Sequence, residues 1–186
     1  MKSSKRVLGI VASPHNSGNT ATLVKEVLKG AEPKGYETEL KCLGDLKINP
    51  LIASASDKPY GVTGPKDDME LIYSSLEKMN ALVFGTPIYY DHVSGRAKIF
   101  VDRLIYYDKE STKDRFPKNV RAVIIVTYEW NKPEAYSSIV GWIKNTLEEH
   151  FKMKVVATLQ AENTEKNPVA NREGLLKKAR QIGRNL

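Results

Sequence analysis

Val7-Leu8-Gly9-Ile10-Val11 runs almost directly into the polar stretch Ser13-Pro14-His15-Asn16-Ser17-Gly18-Asn19-Thr20. The first five residues are apolar nearly throughout, as in a strand that is buried on both faces of a sheet. A helix is expected from Asn19 to Lys29, with Gly30 as its stop. A buried strand, a polar turn and a helix in immediate succession are typical of an α/β protein in which helices cover a parallel sheet.

The rest of the chain repeats this alternation. Further strands are expected at 38–43, 81–85, 120–127 and 155–159, and further helices at about 67–79, 94–107, 133–150 and 167–184. Residues 44–65 are rich in Pro, Gly, Ser and Ala and are expected to be irregular. Five strands alternating with five helices predict one parallel sheet covered on both faces.

Composition limits the classes of protein to which the chain can belong. Its 186 residues suit a single domain spanning residues 1–186, and 41% hydrophobic with 27% charged residues is ordinary for a soluble protein. The longest strongly apolar run, residues 123–126, is too short to cross a membrane, and residues 7–12 are too short for a signal peptide core. We therefore predict a cytoplasmic protein with no membrane partner. One cysteine excludes an internal disulfide framework and a metal cluster held by several cysteines of one chain.

The loop at residues 13–20 lies at the carboxyl end of a central strand, where doubly wound sheets bind ligands. The first N–H groups of the following helix lack intrahelical partners, and the helix dipole is positive there. This arrangement suits a phosphate group, to which Gly18 lets the backbone come close. The spacing matches neither the nucleoside triphosphatase loop nor the dinucleotide fingerprint. The alternative interpretation is an ordinary capped helix start.

A second loop, Gly85 to Gly95, follows the third predicted strand. Pro87 stiffens it, and Ile88, Tyr89 and Tyr90 offer apolar and aromatic surface. That surface, with backbone N–H groups nearby, suits a planar heterocycle with one polar edge. The alternative is a core-packing loop whose tyrosines fill a subunit contact.

Both loops resemble those of one known family. Residues 12–20 are similar to the phosphate loop of the NAD(P)H-dependent FMN reductases, commonly Gly-Ser-Pro-Arg-x-x-Gly-Asn-Thr. Residues 86–90, with Ser94-Gly95, Lys98, Phe100 and Asp102-Arg103, are similar to the family's isoalloxazine loop and following helix. Within that family, the sequence most resembles the iron–sulfur flavoprotein branch, which lies near the multimeric flavodoxin quinone reductases. This resemblance implies a flavodoxin-like three-layer fold with a five-stranded parallel sheet in the order 2-1-3-4-5, non-covalent FMN, and a homodimer or homotetramer.

The resemblance also implies roles for individual residues. Ser13, Ser17, Asn19 and Thr20 would hold the FMN phosphate, next to His15 and Gly18. The flavin ring would be lined by Pro87, Ile88, Tyr89 and Tyr90. In a third loop, residues 127–131, relatives often have a Gly-rich turn, whereas this chain has bulky residues. Tyr128 there either stacks near the ring or narrows access to it, and an ordinary exposed loop is the alternative. Glu129 of that loop is expected to point away from the flavin.

Besides the third loop, the sequence departs from the family at two places. Iron–sulfur flavoproteins carry a compact cysteine motif, and the corresponding positions here are Leu51, Ser54 and Asp57. Because cluster irons need thiolate ligands, we predict no iron–sulfur cluster and no other metal. His15 stands where the family usually has arginine, so a permanent charge is replaced by one that depends on pH.

The function implied is an FMN-dependent oxidoreductase that takes hydride from NAD(P)H and reduces a small acceptor such as a quinone or a flavin. Cofactor chemistry of this kind requires no protein acid or base, so no catalytic residue is assigned. Tyr90 and His92 are candidates for acceptor contact, although His92 also suits a solvated loop.

Two other functions remain open from the sequence. One is a non-enzymatic electron carrier of flavodoxin type. The other is a nucleic-acid binder, suggested by the net charge of +7 and the basic residues 177–180. No nucleic-acid-binding motif is visible, so we expect no nucleic-acid partner.

Overall fold

The computed structural model describes residues 5–53, 62–63, 65–108 and 112–186. Its strands are β1 (Lys5–Val11), β2 (Tyr36–Cys42), β3 (Ile52–Ala53), β4 (Val62–Thr63), β5 (Ala81–Tyr89), β6 (His92–Val93), β7 (Arg121–Thr127) and β8 (Lys154–Ala161). Its α-helices are α1 (Asn19–Ala31), α2 (Met69–Leu76), α3 (Gly95–Arg103), α4 (Ser137–Asn145) and α5 (Glu173–Arg184). Short 3-10 helices cover Glu32–Lys34, Leu43–Asp45, Leu104–Asp108, Lys113–Arg115 and Val169–Asn171, and one π-helical turn covers Thr146–His150.

The main sheet is parallel and has the order β2-β1-β5-β7-β8. Counted along the chain, this is the expected order 2-1-3-4-5, so the flavodoxin-like fold is confirmed. In the described residues, two antiparallel pairings occur in addition to the five-stranded parallel sheet. Strand β6 pairs with β5, and β3 pairs with β4 inside the segment expected to be irregular.

Successive side chains of the central strands point to opposite faces of the sheet and so form two hydrophobic cores. In β1, Leu8 and Ile10 pack into one core, and Val7 and Val11 pack into the other. One core is closed by apolar residues of α2, α3 and α4, and the other by those of α1 and α5. The helices therefore form two layers on either side of the sheet, which explains the nearly continuous apolar character of β1.

The third main strand is longer than expected. It was expected to end at Gly85, but β5 continues to Tyr89 because it pairs with β7 as far as Pro87 and then with β6 through Ile88 and Tyr89. Proline is compatible with position 87 because it comes just before the point where the pairing of β5 changes from β7 to β6. Four of the expected loop residues, 86–89, are thus residues of β5.

Several helix ends also differ from expectation. Helix α2 ends at Leu76 rather than Met79, α3 ends at Arg103 and continues as a 3-10 turn, and α4 begins at Ser137 rather than Pro133. Helix α5 begins at Glu173, after a 3-10 turn, rather than at Asn167. Such ends depend on tertiary contacts as well as on local signals. The expected cap is confirmed at α3, where the Ser94 hydroxyl oxygen accepts a hydrogen bond from the N–H of Ala97 at 3.1 Å.

Gly30 does not stop α1, which continues to Ala31. It allows the helix to lie against α5: a Cβ at Gly30 would lie 2.0 Å from the carbonyl oxygen of Arg180. The reciprocal contact occurs at Gly183, where a Cβ would lie 1.9 Å from the carbonyl oxygen of Val27. Glycine is needed at both positions because the two backbones touch.

A buried ion pair holds both ends of the segment between β2 and α2. The guanidinium of Arg103 donates to both carboxylate oxygens of Asp67, at 2.7 and 3.1 Å, and also to the carbonyl oxygens of Asn49 and Pro65. Both side chains are almost completely buried. Burial alone would raise the pKa of Asp67, but hydrogen bonds from Arg103 and from two backbone N–H groups hold that pKa below its usual value.

No helix in the described part of the chain is long and apolar enough to cross a membrane.

Replacing Gly183 with alanine should lower the free energy of unfolding by about 2 kcal/mol, because the added methyl group has no space between α1 and α5. Gly141→Ala in α4 is the matched control, since a Cβ there meets nothing within 4 Å. Denaturant unfolding of both variants measures the difference. Equal stability of the two variants would contradict the close helix contact.

Replacing Asp67 with asparagine should lower the free energy of unfolding at pH 7 by about 3 kcal/mol, because the Arg103 charge is left buried without its partner. The pKa of Asp67 is lowered by folding, so its carboxylate stabilises the protein above the ordinary aspartate pKa of about 4 and loses that effect as pH falls. The stability difference between the two proteins should therefore shrink as the medium is acidified below that value. A difference that stays constant with pH would show that the Asp67 charge is not responsible.

Candidate functional site

Three loops meet at the carboxyl edge of the sheet because β1, β5 and β7 are neighbours in parallel register. Val11 lies opposite Gly85, and Gly85 lies opposite Ile125. The N–H of Ala12 continues the β1–β5 ladder by donating to the carbonyl oxygen of Gly85 at 2.8 Å. The polar stretches after these strands therefore share one site.

Ser94 connects the first loop to the second. Its buried hydroxyl donates to the carbonyl oxygen of Ala12 at 2.5 Å and accepts from the N–H of Ala97. The same side chain thus caps α3 and fixes the residue that precedes the first loop. This position was expected only as a helix cap.

The first part of the site is a cleft of about 200 Å³, which we call the narrow cleft. It is lined by residues from all three loops and from the segment after β8: Ser13, His15, Gly18, Asn19, Thr20, Pro87, Ile88, Tyr89, Thr127, Tyr128, Glu129 and Thr164. Nine of the eleven residues expected to bind the cofactor are among them. Ser17 is exposed and lies outside this lining, and Tyr90 lies farther along the site.

Hydrogen bonds hold the wall of the narrow cleft in place. The Ser13 hydroxyl oxygen accepts from the N–H of His15 at 3.1 Å, and the hydroxyl groups of Thr20 and Thr127 lie 2.7 Å apart. The Asn19 side chain, which is expected to hold the phosphate, also connects two parts of the fold. Its amide donates to the carbonyl oxygen of Thr164 and accepts from the N–H of Val169, so it joins α1 to the segment after β8.

The start of α1 is electrostatically suited to an anion. Its first turn contains no acidic residue, and Gly18 precedes it without a capping side chain. The N–H groups of this turn therefore have no capping side chain as an acceptor, and they remain available to an anion at the narrow cleft. His15 is exposed beside them. Gly18 has an ordinary φ of −76°, so its value lies in its small size and not in an unusual backbone conformation.

The second part of the site is larger, about 490 Å³, and we call it the ring bay. It adjoins the narrow cleft and shares four of its residues. Its lining is Ile88, Tyr89, Tyr90, Asp91, Tyr128, Glu129, Trp130 and Tyr136. The Tyr136 ring packs edge-on against Tyr128, with centroids 4.8 Å apart, and against Trp130, at 6.2 Å. The bay is therefore an aromatic pocket of the size that suits a flat organic molecule.

The edge of the bay is a tight hairpin turn between β5 and β6. Tyr90 and Asp91 both have positive φ, 48° and 59°, which is unfavourable for residues other than glycine. The hydroxyl of Tyr136 donates to a carboxylate oxygen of Asp91 at 2.6 Å, and this hydrogen bond raises the pKa of Tyr136. Tyr136 thus fastens the turn to the opposite side of the bay, while the Tyr90 ring is fully exposed.

Tyr128 is a fixed part of the wall. It is buried, its hydroxyl donates to the carbonyl oxygen of Lys132 at 3.1 Å, and burial raises its pKa. Glu129, next along the chain, is exposed and lines both the narrow cleft and the ring bay. It therefore borders the site, and the expectation that its side chain points away from a bound flavin stays a prediction.

The two candidates for acceptor contact lie in different surroundings. Tyr90 lines the bay, whereas the His92 ring packs against Trp142 of α4, with centroids 5.4 Å apart. Sequence reasoning missed Tyr136 and Thr164, which carry no local signal: each reaches the site only because the chain folds back to it. Across the described ranges, no group of three or more His, Cys, Asp or Glu residues could hold a metal ion.

Comparison with known proteins gives the family. The model of the NADPH-dependent FMN reductase family matches residues 5–162. An iron–sulfur flavoprotein of Methanocaldococcus jannaschii is 35% identical over 98 residues, which cover 53% of this chain and 51% of that protein. An iron–sulfur flavoprotein of Archaeoglobus fulgidus is 27% identical over 143 residues, covering 76% of this chain and 62% of that protein. The chain thus spans about half to three-fifths of the length of these relatives.

Solved structures support the same fold. An NAD(P)H:quinone oxidoreductase from Methanothermobacter marburgensis superposes with a TM-score of 0.69 at 16% identity, covering 98% of this chain and 96% of that one. A flavone reductase superposes with a TM-score of 0.72 at 19% identity, covering 97% of this chain and 61% of that one. With the family model matching most of its length, and with both family-like loops meeting in one cleft, this chain belongs to the NADPH-dependent FMN reductase family.

Proposed function

We propose that the protein is an FMN-dependent oxidoreductase that takes hydride from NAD(P)H and reduces a small acceptor such as a quinone or a flavin, without an iron–sulfur cluster. The observation that carries this proposal is the junction of an anion-binding helix start with an aromatic bay in one continuous site. A flavin mononucleotide has the matching shape, with a phosphate at one end and a flat ring system at the other.

The narrow cleft fits the phosphate end. The hydroxyl oxygen of Ser13 accepts a hydrogen bond from His15, which leaves its own hydrogen to donate. The backbone N–H groups of Asn19 and Thr20 begin α1, where the positive end of the dipole favours an anion. His15 adds a positive charge when it is protonated. In this proposal Asn19 contributes through its backbone, because its side chain already bonds Thr164 and Val169.

The ring bay fits the flat end. Ile88 and Tyr89 stand on β5, a rigid element, and Tyr128 forms a buried wall whose hydroxyl is already bonded. FMN held there by these residues would supply the two-electron redox chemistry that connects NAD(P)H to the acceptor. The residues of the bay position the reactants and exclude water, and the proposal assigns no proton transfer to any of them.

The absence of a cluster rests on the sequence. The whole chain has one cysteine, Cys42, and a cluster held by one chain needs several thiolates. Leu51 is half-buried and offers no ligand atom. Ser54 and Asp57, the other expected cysteine positions, lie outside the described residues.

A flavodoxin-type electron carrier is the second candidate, favoured by one observation. Asp91 and Glu129 border the bay, and flavodoxins usually surround the flavin with acidic residues. Against it, a bay of about 490 Å³ beside Tyr90 gives a small acceptor room to enter.

Exposed Tyr90 and Trp130 beside the bay are also compatible with the proposed homodimer or homotetramer, in which a second subunit would cover them.

The nucleic-acid alternative is weakened by pairing in the basic tail. Arg180 bonds the carboxylate of Glu26 in α1, and Lys177 pairs with Glu173 at 2.7 Å. Burial alone would raise the pKa of Glu26, but hydrogen bonds from Lys29 and Arg180 lower it. The ion pair between Arg180 and Glu26 therefore stabilises the packing of α5 on α1.

Purified protein supplied with FMN should be yellow, contain no iron above background, and lose its visible absorbance within seconds when NADH or NADPH is added without oxygen. The measurement is anaerobic absorbance spectroscopy with metal analysis of the same sample. Addition of a neutral quinone should restore the yellow colour as the flavin is reoxidised. Bound flavin that neither nucleotide reduces, but that a separate protein reductase does, would replace this function with that of a carrier.

A further inference from the structure

The ring bay is acidic in a chain that is basic overall. The protein has 29 lysine and arginine residues against 22 aspartate and glutamate residues, yet the charged side chains that line the bay are the two carboxylates Asp91 and Glu129. Burial raises the pKa of Tyr128, and the hydrogen bond to Asp91 raises that of Tyr136, so neither of these two rings adds a charge to the bay. The local charge therefore has the opposite sign to that of the whole molecule.

The Asp91 carboxylate is held at the edge of the bay. It lies in the left-handed hairpin turn, and the hydroxyl of Tyr136 bonds it at 2.6 Å across the opening. A hydroxyl donor does not neutralise a carboxylate. The Asp91 charge thus stays at this edge.

The backbone that carries Glu129 is equally fixed. The N–H of Tyr128 donates to the carbonyl oxygen of Ala161 at 2.9 Å, and the Tyr128 carbonyl oxygen accepts from the N–H of Thr164 at 3.1 Å. Glu129 follows directly and borders both parts of the site. The cation of this loop, Lys132, lies 5.3 Å from the centre of the Trp130 ring, and no ion pair between it and Glu129 is found among the residues described.

We propose that the ring bay selects flat acceptors that are neutral or positively charged, and that Glu129 is the residue that excludes anionic ones. The inference rests on the proposed function and names the acceptor class for the same site. Two carboxylates that border the bay repel an anion that enters it, and salt screens this repulsion incompletely at separations shorter than the screening length. The negative faces of the aromatic rings act in the same direction, since they attract cations.

Binding of two flat ions, measured without any reductant, tests this selection directly. The probes are N-methylquinolinium, a cation, and naphthalene-2-sulfonate, an anion, each titrated by fluorescence into the FMN-loaded protein. The cation should bind about tenfold more tightly than the anion in the wild type. Glu129→Gln should reduce this ratio about fivefold, because one of the two charges is removed while shape is kept.

Glu149→Gln is the matched control. Glu149 is exposed near the opposite edge of the sheet, just before β8, so this variant changes the net charge equally without touching the bay. Its ratio should equal that of the wild type. A neutral naphthoquinone and its sulfonated analogue are also compared as acceptors. The ratio of their kcat/KM values should follow the binding ratio: it should be equal in the wild type and Glu149→Gln, and lower in Glu129→Gln.

Equal binding of cation and anion by the wild type would overturn the proposal, as would a ratio that Glu149→Gln changes as much as Glu129→Gln does. Either result leaves the proposed function intact if the flavin is still bound and bleached by NAD(P)H. If the protein does not retain FMN, the same titrations on the flavin-free protein decide the selectivity of the bay, and the function fails separately.

Discussion

The parallel register of β1, β5 and β7 is the constraint on which the whole site depends. It places the carboxyl ends of three strands side by side, so that loops far apart in sequence share one cleft. Close packing of α1 on the sheet strengthens this arrangement: a Cβ at Gly85 would lie 2.6 Å from a methyl group of Val24 and 2.9 Å from the methyl group of Thr20. The start of α1, and with it the anion-binding turn, can therefore approach the edge of β5.

The site is stabilised by contacts that lie outside it. Ser94 bonds the carbonyl oxygen of Ala12, Asn19 bonds the segment after β8, and Tyr136 bonds the hairpin turn of Asp91. The buried Arg103–Asp67 pair does the same for the two ends of the segment in which related proteins are expected to carry their cysteines. In this chain an ion pair and hydrogen bonds to backbone carbonyls thus hold the two described ends of that segment, and the one cysteine of the sequence lies in β2.

Much of this could be predicted from local sequence. Apolar runs located the five main strands, and the polar turn after β1 indicated the candidate anion site, because both signals depend on neighbouring residues. The hairpin at Tyr90–Asp91 could not be predicted from local sequence, since the bulky Tyr90 is not typical of left-handed turns and the Tyr136 contact that holds the turn is 45 positions from Asp91. Gly30 was misread for the same reason: what requires a glycine there is the backbone of α5, which lies far along the chain.

The central claim is that the turn after β1 grips the terminal phosphate of a flavin mononucleotide. Isothermal titration of the flavin-free protein with FMN and with riboflavin, which differ only in that phosphate, tests this claim most directly. Charge-assisted hydrogen bonds to the phosphate should make FMN bind at least about a hundredfold more tightly. Equal affinities for the two flavins would contradict the phosphate site, even if the ring bay held both.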